Sequence, residues 1–136
     1  MIEINNLTGK PLSKTVDKKA FFTVAKKVLK GENRETETVS LALVNKEEMQ
    51  KLNKKFRKKN KPTDVLSFEL REGKVLGEII ICPEVVAENA NKYGVSRKSE
   101  MLKVFVHGIL HLCGYDHEKS EKEAEKMEQK QEKYLS

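Results

Sequence analysis

All three histidines of the chain fall between residues 107 and 117, in the stretch His107-Gly-Ile-Leu-His111-Leu-Cys-Gly114-Tyr-Asp-His117. His107 and His111 are four residues apart. On a helix that spacing puts both on one face, with Cβ atoms about 5–6 Å apart, and two imidazole nitrogens can then reach one ion at about 2.0–2.1 Å each. Gly114 permits the positive φ that a sharp turn after the helix requires, so His117 can swing back toward the first two rings. Three neutral nitrogen ligands leave the fourth position of a tetrahedral ion open, which is the pattern of a catalytic zinc site rather than a closed structural one. A lone histidine on an apolar helix is ordinarily a satisfied core residue. Three imidazoles buried together without partners would cost on the order of several kcal/mol, a cost that a shared ion removes. The expected cofactor is one zinc ion, although the same ligands suit other divalent metals.

The spacing coincides with the H-E-x-x-H-x-x-G-x-x-H pattern of metzincin peptidases at every position but one. Gly108 stands where that pattern has the glutamate that takes a proton from metal-bound water. Glycine has no group for that step, so peptidase chemistry by that route is disfavoured.

The histidine helix must be held in place by the rest of the chain. It is expected to run from a cap at Ser96 to about Cys113, with Gly114 as its left-handed stop. From Val104 to Cys113 it is apolar nearly all round, which predicts a central, buried position. Upstream, Ile2 and Ile4 alternate with polar residues as a short first strand. Residues 17–30 place Phe21, Val24, Ala25, Val28 and Leu29 on one helical face, closed by Gly31. Residues 38–44 read as a second strand. Asn45 and Glu48 resemble a capping box that opens a helix on Met49, Leu52 and Phe56, and Lys61-Pro62 is expected to end it. Val65–Leu70 and Val75–Cys82 read as strands joined in a hairpin through Arg71-Glu72-Gly73-Lys74. Pro83 suits the first turn of a helix with Val86, Ala90 and Tyr93 as its buried stripe and Gly94 as its end. A charged last helix, about 120–134, has Ala124, Met127 and Tyr134 as anchors. The order β-α-β-α-β-β-α-α-α, two crossovers followed by a hairpin, predicts an α+β domain. Its four-stranded sheet is mixed, with one antiparallel edge strand, and packs with about five helices. One domain over residues 1–136 is expected from length.

Composition narrows the setting. Hydrophobic residues make up 38% of the chain and charged residues 35%, with no Trp, so the core must be mostly aliphatic. Cys82 and Cys113 are too few for a disulfide framework and read as reduced, buried thiols of a cytosolic protein. MIEINNLTGK has no signal-peptide pattern, and no apolar run approaches the ~20 residues of a membrane span. The expected location is cytoplasmic, with no membrane partner. The net charge is +6, from 27 basic and 21 acidic residues, and the excess is concentrated in residues 51–61, KLNKKFRKKNK. That concentration implies an anionic partner.

The eleven-residue histidine block resembles the signature of the YbeY family, metal-dependent endoribonucleases of rRNA maturation. A second block agrees with it: Leu52-Asn53, Phe56-Arg57, then Pro62-Thr63-Asp64-Val65-Leu66-Ser67-Phe68. A third, Leu76-Gly77-Glu78-Ile79, is similar to the family's Gly-Asp-Ile segment. Glu78 departs from the more usual Asp, and Glu69 stands where Pro is common; neither touches the histidines. The resemblance implies a zincin-like fold with the histidine helix under the sheet. It implies single-strand-specific cleavage of RNA phosphodiester bonds, in maturation of the 16S rRNA 3′ end and in ribosome quality control. The implied partners are single-stranded RNA, the small ribosomal subunit and a ribosome-associated GTPase. It assigns His107, His111 and His117 as metal ligands, and places Arg57 and His107 in the catalytic machinery.

These residue types suit that chemistry. A bound Zn²⁺ lowers the pKa of water from about 15.7 to about 7, or polarises a phosphoryl oxygen. Attack at phosphorus adds negative charge, which a planar, bidentate guanidinium such as Arg57 can stabilise. By residue type alone Arg57 reads first as a solvated charge on a surface helix, and it is the resemblance that turns it toward the phosphate. Lys54, Lys55, Lys58, Lys59 and Lys61 are expected to steer an RNA backbone, with salt-sensitive affinity, and each would serve as well on a solubilising face. Phe56 and Tyr115 fit packing roles better than base stacking. Asp116 suits either orientation of a ligating histidine or the turn itself. Cys113 points to another helix face and belongs to the core. Thr63, Asp64 and Ser67 have no assigned step, and the attacking group is either a metal-activated hydroxide or the ribose 2′-OH. Two readings from other classes compete: a non-catalytic ribosome-assembly factor with a structural metal, and a metallopeptidase, against which Gly108 counts.

Overall fold

The computed structural model describes residues 2–11 and 17–136, residue 71 by its backbone alone. The alternating Ile2 and Ile4 form β1 (Ile2–Asn6), which pairs in parallel with β2 (Thr38–Leu43). β2 in turn runs parallel to β4 (Val75–Ile81), and β3 (Val65–Glu72) lies antiparallel on the outer side of β4. The sheet order is therefore β1-β2-β4-β3, mixed and with one antiparallel edge, as the element order predicts. Five helices accompany it among the described residues: α1 (Lys18–Gly31), α2 (Lys46–Arg57), α3 (Pro83–Tyr93), α4 (Arg97–Leu112) and α5 (Glu121–Leu135).

The sheet separates two apolar layers. Side chains alternate between its faces, so Ile79 and Ile81 of β4 join the larger core, while Ile80 between them joins a smaller one with Ala42, Met49, Leu66 and Cys82. The larger core is built around α4. Phe105, Val106, Ile109 and Leu110 on that helix are fully buried, and α4 packs against α1, α3, α5, β3 and β4. Phe21 meets Phe105 edge to face at 5.0 Å, which ties α1 to this axis.

Two glycines set how closely α4 lies on the sheet. A Cβ at Gly108 would stand 3.1 Å from Ile79 and from the Ser67 hydroxyl. One at Gly77 would collide with the Phe68 carbonyl oxygen and lie 2.6 Å from a Leu112 methyl. Because the Phe68 contact is backbone, the sheet itself would have to move. Gly77→Ala is expected to destabilise the protein by about 2–3 kcal/mol, the range for overpacking a tight core. Urea denaturation checks this; an unchanged midpoint would mean that α4 has slack against β4.

Several local expectations need correction. Gly31 does not stop α1 in a left-handed turn; it is the last helical residue, and the left-handed position falls at Asn33 (φ 59°). Its missing side chain instead makes room for the Tyr134 ring, which a Cβ would overlap. α2 ends at Arg57, with Lys58 in the left-handed conformation (φ 58°), before Pro62 can act. Tyr93 is 58% exposed and Phe56 53%, so neither completes the buried stripe assigned to it. Ala124 and Cys113 are half-buried.

Candidate metal centre

Local chemistry places α4 and the turn after it. The Ser96 hydroxyl caps α4 by accepting from the Ser99 amide at 3.0 Å. At the far end Gly114 adopts φ 102°, where its amide donates to the His111 carbonyl at 3.0 Å and the Tyr115 amide to the Leu110 carbonyl at 3.1 Å. The chain then reverses through Asp116, whose carboxylate accepts from the Glu118 amide at 2.9 Å. Asp116 thereby serves the turn.

The reversal brings His117 back over the helix. The three imidazole centroids form a nearly equilateral triangle: 4.9 Å for His107–His111, 5.0 Å for His107–His117 and 5.1 Å for His111–His117. One nitrogen from each ring lies within 4.8 Å of the other two. His107 and His111 are half-buried and His117 is exposed. The rings line a cavity of about 820 Å³ together with Arg57, Asp64, Ser67 and Gln131, so the point on which they converge is open on one side.

Sequence reasoning missed the residue that orients His107. Gln131 on α5 is 8% exposed, and its Oε1 accepts a hydrogen bond from His107 Nδ1. A carbonyl oxygen can only accept, so Nδ1 carries the proton and Nε2 presents its lone pair. The signal was available: Met127, Gln131 and Tyr134 share the i, i+4, i+7 spacing of a buried stripe, and all three are buried. Burial pushes His107 below its ordinary pKa. The Gln131 contact opposes that shift, and the neighbouring His111 and His117 reinforce it. Burial likewise lowers His111, helped by His117. Both shifts favour the neutral ring, the form that ligates. Three convergent imidazole nitrogens, one with its tautomer fixed, fit a divalent ion of the zinc type. Gln131→Leu, which keeps the packing volume and removes the acceptor, is expected to weaken metal affinity about 10–100-fold. Competition with a chromophoric chelator measures this; an unchanged affinity would mean that the His107 tautomer is set otherwise.

Arg57, the last residue of α2, lies beside this triangle. Its Nη2 is 3.8 Å from Glu118 Oε1, and the same oxygen is 3.9 Å from His117 Nε2. Its neighbours divide. Lys54, Lys55, Lys58, Lys59 and Lys61 are all exposed, and of these Lys59 lines the cavity. The basic loop is fastened by Asn53, 2% exposed, which donates from Nδ2 to the Lys61 carbonyl at 2.8 Å. Its own carbonyl accepts from the Lys59 amide at 3.3 Å. Phe56 also lines the cavity, with its ring against Phe68 at 5.0 Å.

Behind the triangle a polar knot holds the His117 turn. Glu32 accepts from the Tyr115 hydroxyl at 2.8 Å and from the Tyr134 hydroxyl, with Lys130 at 3.5 Å. Burial raises the Glu32 carboxyl, but the two hydroxyls and the ammonium outweigh it and hold it below its ordinary pKa. Tyr115 is therefore a packing and tethering residue. Burial pushes the Cys113 thiol up to about 11 and raises Cys82 as well, and neither thiol belongs to the cluster of convergent histidine nitrogens.

The family model described as Endoribonuclease YbeY matches residues 3–136. An Endoribonuclease YbeY of Thermotoga maritima is 47% identical over 97 residues, covering 71% of this chain and 65% of its own length. That share of the relative is just under two thirds. The Thermotoga neapolitana protein of the same description is 43% identical over 127 residues, 93% of this chain and 80% of its own. The solution structure of a Thermotoga maritima protein superposes with a TM-score of 0.72 at 41% identity, over 99% of this chain and 87% of that one. No helix among the described residues is long and apolar enough to cross a membrane.

Proposed function

The chain belongs to the YbeY family, and from that premise we propose that residues 1–136 act as one metal-dependent endoribonuclease domain that cuts single-stranded RNA. The observation that carries the reading is the triangle of imidazole nitrogens, within 4.8 Å of one another, on the wall of a cavity shared with Arg57. The substrate class is ribosomal RNA, with the 16S 3′ end as the site. The setting is cytoplasmic, with the small ribosomal subunit and a ribosome-associated GTPase as partners.

His107, His111 and His117 would hold one divalent ion, with zinc the ion that three nitrogens suit. Bound there, such an ion supplies Lewis-acid polarisation of a phosphoryl oxygen and activation of an attacking oxygen. The chain's own groups do the rest. Gln131 holds His107 in the ligating tautomer. Arg57, 48% exposed along its side chain, is free to leave Glu118 for the phosphate, because a surface pair at 3.8 Å is worth at most about 1 kcal/mol. Its planar fork meets the non-bridging oxygens where negative charge develops. Lys59 adds positive potential at the rim. Lys54, Lys55, Lys58 and Lys61 extend it outward as a steering field that weakens with salt.

The test is cleavage of a labelled single strand beside a duplex control, with and without chelator. Single-strand cleavage that chelation stops and Zn²⁺ restores supports the proposal. Chelation that melts the protein while no RNA is ever cut would favour an assembly factor with a structural metal. The open side of the triangle argues against that alternative. Peptidase chemistry has no support from position 108: glycine offers no proton acceptor, and a Cβ there would already meet Ile79 and the Ser67 hydroxyl at 3.1 Å.

A further inference from the structure

Glu100 has no part in the chemistry above, yet it sits in the same cavity. It lies in the first turn of α4, is 5% exposed, and lines the cavity with Tyr93, Lys103 and His107. Among the described residues its carboxylate makes no hydrogen bond or ion pair. No fully enclosed side-chain oxygen among them lacks a partner, so the carboxylate is the part of Glu100 that reaches the cavity. The unpaired carboxylate at the cavity wall is open to a ligand that brings N–H donors. His107 follows it by seven residues, about 10 Å along the helix axis.

Its surroundings define the ligand. Tyr93, the last residue of α3, is 58% exposed and lines the cavity, so it offers an aromatic side chain on the cavity wall. Lys103 is exposed and lies on the same helix face as Glu100, three residues on. A stacking ring, an acceptor-only carboxylate and a cation together match a nucleotide: a flat base, N–H donors on its edge, and a phosphate. Of the four bases, guanine presents two adjacent N–H donors, N1–H and the 2-amino group, to a carboxylate's two oxygens.

We propose that Tyr93, Glu100 and Lys103 form a nucleobase subsite beside the metal centre that favours guanine. Tyr93 stacks on the base, Glu100 accepts from its N1–H and 2-amino group, and Lys103 faces the adjoining phosphate. This rests on the RNA-cleaving reading and adds a sequence preference to it.

The test is fluorescence anisotropy with the full-length holoprotein and short oligouridines, their intactness checked on gels. Each oligonucleotide carries one central guanosine or, in its place, inosine, which lacks the 2-amino group. The wild type is expected to bind the guanosine form about tenfold more tightly, within the range for a bidentate side-chain–base pair. Glu100→Gln should bring that ratio near one with little change in melting temperature. Tyr93→Ala should weaken both oligonucleotides about tenfold, and Tyr93→Phe should not. A ratio equal in wild type and Glu100→Gln overturns the subsite, as does a wild-type ratio of one. A loss of melting temperature in Glu100→Gln with the ratio intact would assign Glu100 to stabilising the α4 N-terminus instead. Wild-type protein that cuts RNA without base preference would remove this subsite alone. Protein that binds no RNA would remove the nuclease reading with it.

Discussion

His111→Ala is expected to lower the rate of single-strand RNA cleavage by about 10³-fold or more while leaving the protein folded. The size follows from what the ion contributes. Lewis-acid stabilisation of transition-state charge is worth several kcal/mol, and each ~1.4 kcal/mol is a factor of ten in rate. Two of three ligands do not hold an ion as three do, so removing one nitrogen forfeits most of that stabilisation. His111 is the informative choice because its ring is half-buried at one corner of the triangle, and among the described residues it makes no side-chain hydrogen bond that a substitution would break. The core of α4 beneath it, Ile109 and Leu110, is untouched. The fall should therefore appear in kcat/KM and not in the far-ultraviolet circular dichroism. A variant that cuts RNA at the wild-type rate would reject the metal-dependent mechanism at this site.

Arg57→Ala should cost about 10²-fold in kcat/KM, by analogy with removal of one preorganised donor to a developing oxyanion. Arg57→Lys should recover only part of the loss, because an ammonium lacks the planar fork. Arg57 stands at the exposed end of α2 and, among the described residues, makes one long ion pair, to Glu118. Its loss should leave metal content and melting temperature nearly unchanged, which separates a transition-state role from a structural one. Equal activity of the alanine variant and the wild type would return Arg57 to the class of solvated surface charges.

The sequence carried the centre of this account because its strongest signals are local. The i, i+4 histidines, the glycine turn and the apolar run of α4 each follow from backbone geometry over a few residues, and the mixed sheet follows from the order of elements. What sequence reasoning missed was set by packing between distant segments. Gln131 reads as one more polar residue on a charged helix; its role exists only because α5 lies against α4. Gly31 resembles a helix stop, and only the approach of Tyr134 across more than a hundred residues reveals why it lacks a side chain. Gly108 could be seen to disable peptidase chemistry, but the reason for glycine there is the closeness of Ile79. Glu100 gave no signal at all, since an acidic residue in a helix's first turn is ordinary. Its burial in the cavity wall is a property of the assembled fold.

Purified protein should carry close to one equivalent of a divalent metal per chain, read by inductively coupled plasma mass spectrometry. His117→Ala, purified alongside and with an unchanged circular dichroism spectrum, should carry almost none. Wild-type protein that stays metal-free after incubation with Zn²⁺, or a variant that retains as much metal as the wild type, would contradict a shared ion held by the three imidazoles.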